Sequence, residues 1–185
     1  MKLSLFIVVL GGRSLKSNIE IHDVRWVLGE SLEDTFPELR KQWLGEISGL
    51  HIDSYKRIEY IDGYKILISK SNTNKSIKPK EEDQSLWFIN LGAYDPKKMY
   101  EEHQFTLVVA KKAIDAKKKA KKNWISNFNN KHNDDISNIQ NFEEIDDIFS
   151  IKKIKNWEIK LIEDPEKRSE KLFPDWYGYM RIDKF

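Results

Sequence analysis

The stretch NIEIHDVRWVL, residues 18–28, returns 81 positions later as MYEEHQFTLVV, residues 99–109. Glu20 falls on Glu101, His22 on His103 and Val27 on Val108. Working outward at the same offset, Leu10 and Gly11 meet Leu91 and Gly92, and Lys16 meets Lys97. Further along, Asp34 meets Asp115, Lys41 meets Lys122, Trp43 meets Trp124, His51 meets His132 and Asp53 meets Asp134. Residues 6–53 thus share eleven identities with residues 87–134, without gaps. Ordinary residue usage gives roughly three by chance over such a span. Self-similarity of this kind indicates a duplicated folding unit. All four histidines of the chain belong to it, as two matched pairs.

The duplication also decides how the N-terminus is read. MKLSLFIVVLGG has a lysine and an apolar run, like the start of a signal peptide. Its counterpart, SLWFINL at residues 85–91, lies deep inside the chain. The simplest reading of both is one β-strand, apolar throughout and therefore central. We expect it over 3–10, ended by Gly11 and Gly12.

A second strand is expected over 19–28. Side chains two apart share a face, which groups Glu20, His22, Val24, Trp26 and Leu28, and in the repeat Glu101, His103, Phe105, Leu107 and Val109. Both copies are expected to bury this face and to start it with Glu and His. A helix follows. Ser31 is placed as its N-cap with Asp34 three positions on, and Pro37 predicts a kink or a late start. Leu32, Phe36, Leu39 and Trp43 stand at helical spacing. Its counterpart, KKAIDAKKKAKKNWI, is rich in helix-favouring Ala and Lys. Next come the His-x-Asp segments LHID and KHND, and then YKRIEYI and YKILIS, joined by Asp62-Gly63, a hairpin signal. GYKILI (63–68) matches NWEIKL (156–161) only at an offset of 93, so the second copy carries an insertion of 12.

These readings predict an α+β fold of two tandem ββαββ repeats with antiparallel sheets, arranged as a pseudo-two-fold internal dimer. The first unit is expected over 1–69 and the second over 86–163, with an acidic insertion at about 137–150. A polar linker joins them over 70–85, and an aromatic tail over 164–185 is expected to dock as a terminal strand.

Composition narrows the chemistry. The chain has 185 residues, a formal net charge of +2 and no cysteine. Disulfides, Cys-ligated metals and a thiol nucleophile are excluded. The balance of charge gives no whole-chain attraction to nucleic acid or to a membrane. Lys111–Lys122 carries seven lysines and one Asp, but its counterpart over 31–42 has three acids and two bases, so a solvated helix face is preferred to a nucleic-acid surface. The glycines of LGG and LGA fit neither phosphate-binding spacing and read as a plain turn. A cytoplasmic protein, monomeric or homodimeric and without a membrane partner, is expected.

The candidate site residues are Glu20, His22, His51 and Asp53, with Glu101, His103, His132 and Asp134 in the second copy. Imidazole with carboxylate suits a transition metal, for which His22, His51 and Asp53 are the candidates, or general acid/base work. The same groups also satisfy one another at a strand end. The first expectation is a non-catalytic binding or interaction module, and the alternative is a metal-binding protein or enzyme with one cluster per repeat. The pattern names no cofactor, ligand or reaction.

The blocks LGGR, NIEIHDVRWVLGESLEDTFPELRKQWLG, LHIDSY and IDGYKI, and their counterparts LWFINLGAYDP, EEHQFTLVVAKKAIDAKKKAKK and KHNDD, resemble a bacterial family, domain of unknown function 1543. The resemblance covers nearly the whole chain. It implies one or two copies of this unit, often closed by a segment like PDWYGY, and implies no activity. The second copy departs from the pattern at its insertion and where Asn156-Trp157 replaces Gly63-Tyr64.

Overall fold

The computed structural model describes residues 2–70, 83–94, 97–123, 130–138 and 157–184, the stretch 130–138 by its backbone alone. The body of the expected linker and nearly all of the acidic insertion lie outside these residues.

Apolar run and strand coincide at the start. β1 (Ser4–Gly12) pairs with β2 (Ile21–Gly29) on one side and β3 (His51–Ile58) on the other, both antiparallel. It is an inner strand, as its continuous hydrophobicity requires. The glycines do not end it. β1 runs through Gly11 to Gly12, and Gly11 stands opposite His22 on one side and His51 on the other. The expected turn is therefore corrected to strand.

Between β2 and β3 the chain crosses one face of the sheet as a 3-10 turn (Glu33–Thr35) continuing into α1 (Phe36–Gln42). The Ser31 N–H donates to Asp34 Oδ2 at 2.9 Å, and the Asp34 N–H donates to Ser31 Oγ at 3.3 Å. This reciprocal cap satisfies two backbone donors that a helix start leaves open. The Ser31 donors also hold the Asp34 carboxyl below its ordinary pKa. Pro37 sits in the first turn of α1, which delays the regular helix as its missing N–H allows.

Leu32, Phe36, Leu39 and Trp43 are buried against Phe6, Val8, Leu10 and Val27. Val27 shows that β2 buries both faces. Val24, Trp26 and Leu28 pack into a different core on the other side. The expectation of a single buried face is corrected accordingly, because the sheet is covered twice.

After β3 the chain leaves this sheet. β4 (Tyr60–Ile61) turns into β5 (Tyr64–Lys70) through Asp62 and Gly63, whose φ values are 53° and 84°. Two successive positive φ values define the tight hairpin turn that Asp-Gly favours. The second copy repeats the order with β6 (Ser85–Tyr94), β7 (Glu102–Ala110), α2 (Ala113–Asn123), β8 (Asn130–Asn138) and β9 (Trp157–Glu163). β6 is the centre of its own sheet, between β7 and β8. β10 (Trp176–Arg181) belongs to the C-terminal tail and pairs with β3, giving the order β10-β3-β1-β2.

One strand pair reveals the symmetry. β5 of the first copy pairs with β9 of the second, and Leu67 lies opposite Lys160. These two residues are 93 apart, the offset at which the two segments match in sequence. The register continues symmetrically, with Tyr64 opposite Glu163 and Lys70 opposite Trp157. A pair whose members are equivalents of each other marks a local pseudo-two-fold axis. The core around it is built from matched residues: Leu5 with Leu86, Ile7 with Phe88 and Ile66 with Ile159. Each buried aliphatic side chain of this kind contributes about 1.5–3 kcal/mol. Each sheet therefore carries a helix on one face and the other repeat on the opposite face.

Candidate functional site

The candidate side chains of the first copy do converge. Gly11 is the hinge of the arrangement, because His22 of β2 and His51 of β3 are both its register partners. The three residues therefore share the face that bears Leu5 and Ile7. Asp53 joins them through a β-bulge. Val9 pairs with Ser54 but Leu10 pairs with Ile52, which leaves Asp53 as the extra residue of β3. A bulge re-aims the side chain it inserts, and here it brings a carboxylate back over β1. Glu20 comes from the residue just before β2.

Together they form a ring. His51 Nε2 lies 3.3 Å from Glu20 Oε1 and 3.2 Å from Asp53 Oδ1. His22 Nε2 lies 3.4 Å from Asp53 Oδ2 and 3.9 Å from Glu20 Oε2. His51 is only 1% exposed, whereas the His22 side chain is 54% exposed. The inner half of the ring is thus fixed and the outer half is open to solvent. Among the described residues, no group of three or more His, Asp or Glu side chains is arranged to hold a metal ion.

Three further groups hold the ring in place. The first is Gly11 itself. A Cβ there would stand 2.5 Å from His51 Nε2 and 3.0 Å from Asp53 Oδ2, so only glycine lets both side chains lie over β1. The second is the Gly49 carbonyl, 2.8 Å from His51 Nδ1. A carbonyl oxygen only accepts, so Nδ1 carries the proton and Nε2 faces the carboxylates. The third is Tyr179 of β10, whose ring centroid lies 4.0 Å from that of His51.

The tail also positions Gly49. Its N–H donates to Asp183 Oδ2 at 2.9 Å, and the Ile182 N–H donates to the Leu50 carbonyl at 3.0 Å. Asp183 is in turn paired with Arg181, and that pair holds its carboxyl well below the usual carboxylate range. Sequence reading missed all of these supports. Gly11 was visible as a repeated glycine, but Gly49 acts through its backbone, and the tail has no counterpart in the first 163 residues to expose its role.

The second copy is laid out on the same plan but differs in detail. Gly92 stands between His103 and His132 in register, and a bulge falls between Asn90 and Leu91, 81 positions after that between Val9 and Leu10. His103 Nε2 lies 3.7 Å from Glu101. His103 Nδ1 lies 3.4 Å from the Asn90 side-chain amide, where the first copy has Val9. The side chains of His132 and Asp134 lie outside what the structure describes.

Residues 17–68 and 98–148 each match the family described as Domain of Unknown Function (DUF1543). The chain belongs to the DUF1543 family. The two matches begin 81 residues apart, the offset of the internal repeat. The chain is also similar to a solved structure, the crystal structure of protein Il1583 from Idiomarina loihiensis. The two are 30% identical with a TM-score of 0.69, over 99% of each chain. No curated protein matches. Among the described residues of this DUF1543 protein, no helix is long and apolar enough to cross a membrane.

Proposed function

We propose that this protein is a non-catalytic binding module built from a duplicated DUF1543 domain, and that the ring of Glu20, His22, His51 and Asp53 is its ligand seat. The observation that carries the proposal is the direction of His51. With Nδ1–H given to Gly49, its Nε2 atom meets two carboxylate oxygens at 3.2 and 3.3 Å. Two carboxylates gathered at one strand end attract positive charge. The ligand is accordingly a small cation or a molecule presenting a cationic group. We take 1–69 and 86–163 as the two units, joined by 70–85 and closed by 164–185, and place the cysteine-free chain in the cytoplasm.

The test is calorimetric titration of the full chain with zinc, nickel, magnesium, methylammonium and guanidinium chlorides. At least one cation should bind saturably, and Asp53→Asn should weaken it by about tenfold or more. The proposal fails if none binds while Asp53→Asn and Glu20→Gln lower thermal stability. The ring would then be a structural tie.

A further inference from the structure

Resting on that seat, we infer that its ligand is an organic cation of the guanidinium class, gripped by Glu20, Asp53 and His51 and bordered by Tyr179. Fixed positive charge is what the seat lacks. Asp23 has Arg25 beside it, Asp62 has Lys119 and Asp164 has Arg168. Glu20 and Asp53, among the described residues, are paired only with the two histidines. His51 points the same way. It is 1% exposed and gives its Nδ1–H to Gly49. Its Nε2 therefore accepts, yet the groups facing it are carboxylates, which when ionised also only accept. A buried acceptor needs a donor. A cation bearing N–H groups supplies one together with the missing charge.

The layout selects the shape of the cation. Each carboxylate divides its oxygens between the imidazoles. Glu20 Oε1 and Asp53 Oδ1 face His51, whereas Glu20 Oε2 and Asp53 Oδ2 face His22. The acceptors are thus spread out rather than aimed at one point. A guanidinium spreads five N–H donors in one plane and can serve both carboxylates and His51 Nε2 at once, whereas an ammonium has three donors on a single atom. His22, exposed at the start of β2, is the member with room to turn aside and admit it. The border is aromatic. Trp176 and Met180 pack on the helix side of the sheet, so their neighbours Tyr177 and Tyr179 project on the opposite face, that of the ring. Tyr179 lies over His51, and both tyrosines are exposed. Guanidinium groups stack on such rings. β10 pairs with β3, so this border belongs to the first repeat, and one cation per chain is expected.

The full chain is titrated by calorimetry with methylguanidinium and methylammonium chlorides at the same salt concentration. Asp53→Asn and Tyr179→Leu are compared with the parent, because His51→Ala, at a buried position, endangers the fold; circular dichroism checks that both variants fold. The expected result is one equivalent of methylguanidinium, bound more tightly than methylammonium. Asp53→Asn should weaken it by about tenfold or more, and Tyr179→Leu by about two- to fivefold. Free arginine and a capped Gly-Arg-Gly peptide then separate the two sources of the group, the tighter binder showing whether the seat takes a small molecule or a protein side chain. Methylguanidinium that does not bind, that binds no more tightly than methylammonium, or that binds folded Asp53→Asn or Tyr179→Leu as it binds the parent overturns the inference. If methylammonium or a metal ion binds in its place and Asp53→Asn weakens that binding, the guanidinium falls and the seat stands. If no cation binds, both fall.

Discussion

At Gly11, a missing side chain carries as much of the site as the four that are present. Alanine there would put a carbon 2.5 Å from His51 Nε2, well inside contact distance. The clash cannot be relieved cheaply, because the imidazole is held from behind by the Gly49 carbonyl and covered by Tyr179. Gly11→Ala should therefore destabilise the protein by about 1–3 kcal/mol, the usual cost of forcing atoms into a packed site. It should also remove cation binding, as urea unfolding and calorimetry together would show. A stability loss without any loss of binding would show that the ring tolerates displacement. His22, His51, Glu20 and Asp53 were legible in the sequence because the chain repeats them. Gly11 was legible as a repeated position but not as a strand residue, since a glycine pair after an apolar run resembles a turn. The reason it stays in the strand is the pair of imidazoles flanking it, and these come from segments distant in sequence.

Among the elements, the C-terminal strand contributes more than its tail position implies. Ile182 is fully buried in the core beneath α1, and its carbonyl accepts a hydrogen bond from Arg40 at 2.8 Å. Ile182→Ala should cost about 2–5 kcal/mol in urea unfolding. It should also loosen the Gly49 loop, seen as faster exchange of the Leu50 and His51 amides. The aromatic richness of the segment was enough to predict that it docks. Its partner strand was not legible, because edge pairing depends on which edge the remaining fold leaves open. The tail's preceding turn makes a pH prediction. Arg168 hydrogen-bonds Asp164 and lowers its carboxyl from 3.8 to about 2. Asp183 is lowered likewise by Arg181. A depressed carboxylate stabilises the fold fully above its unfolded value and loses that contribution as pH falls through the folded one. Stability should therefore fall between about pH 4 and pH 2, and Asp164→Asn should flatten part of that fall. Denaturant unfolding at stepped pH would measure both; equal acid sensitivity in the variant would remove Asp164 from the account.

For the whole molecule, the question is whether the two repeats fold as two units or one. The duplication predicted a pseudo-two-fold pair, and the symmetric register of Leu67 with Lys160 bears that out. What it could not show is how completely the units share their interior. Leu5, Ile7 and Ile66 of one copy pack with Leu86, Phe88 and Ile159 of the other. Asp62, at the hairpin of the first, accepts the Val109 N–H of the second at 2.7 Å and lies 2.7 Å from Lys119 Nζ. The helix-side cores, by contrast, are separate and unequal: α1 buries Phe36 and Leu39, with Leu32 and Trp43 buried on either side of it, whereas the buried residues of α2, among those described, are the small Ala116 and Ala120. A unit removed from its partner would expose the shared face, so neither should be stable alone. The consequence is one cooperative transition on heating. Leu86→Ala, a truncation in the second copy, should lower the global stability by about 2–5 kcal/mol. It should accelerate hydrogen exchange in β1 by the same free energy as in β6, because both strands open only when the common core does. Faster exchange confined to β6 and β7 would show instead that the repeats unfold independently.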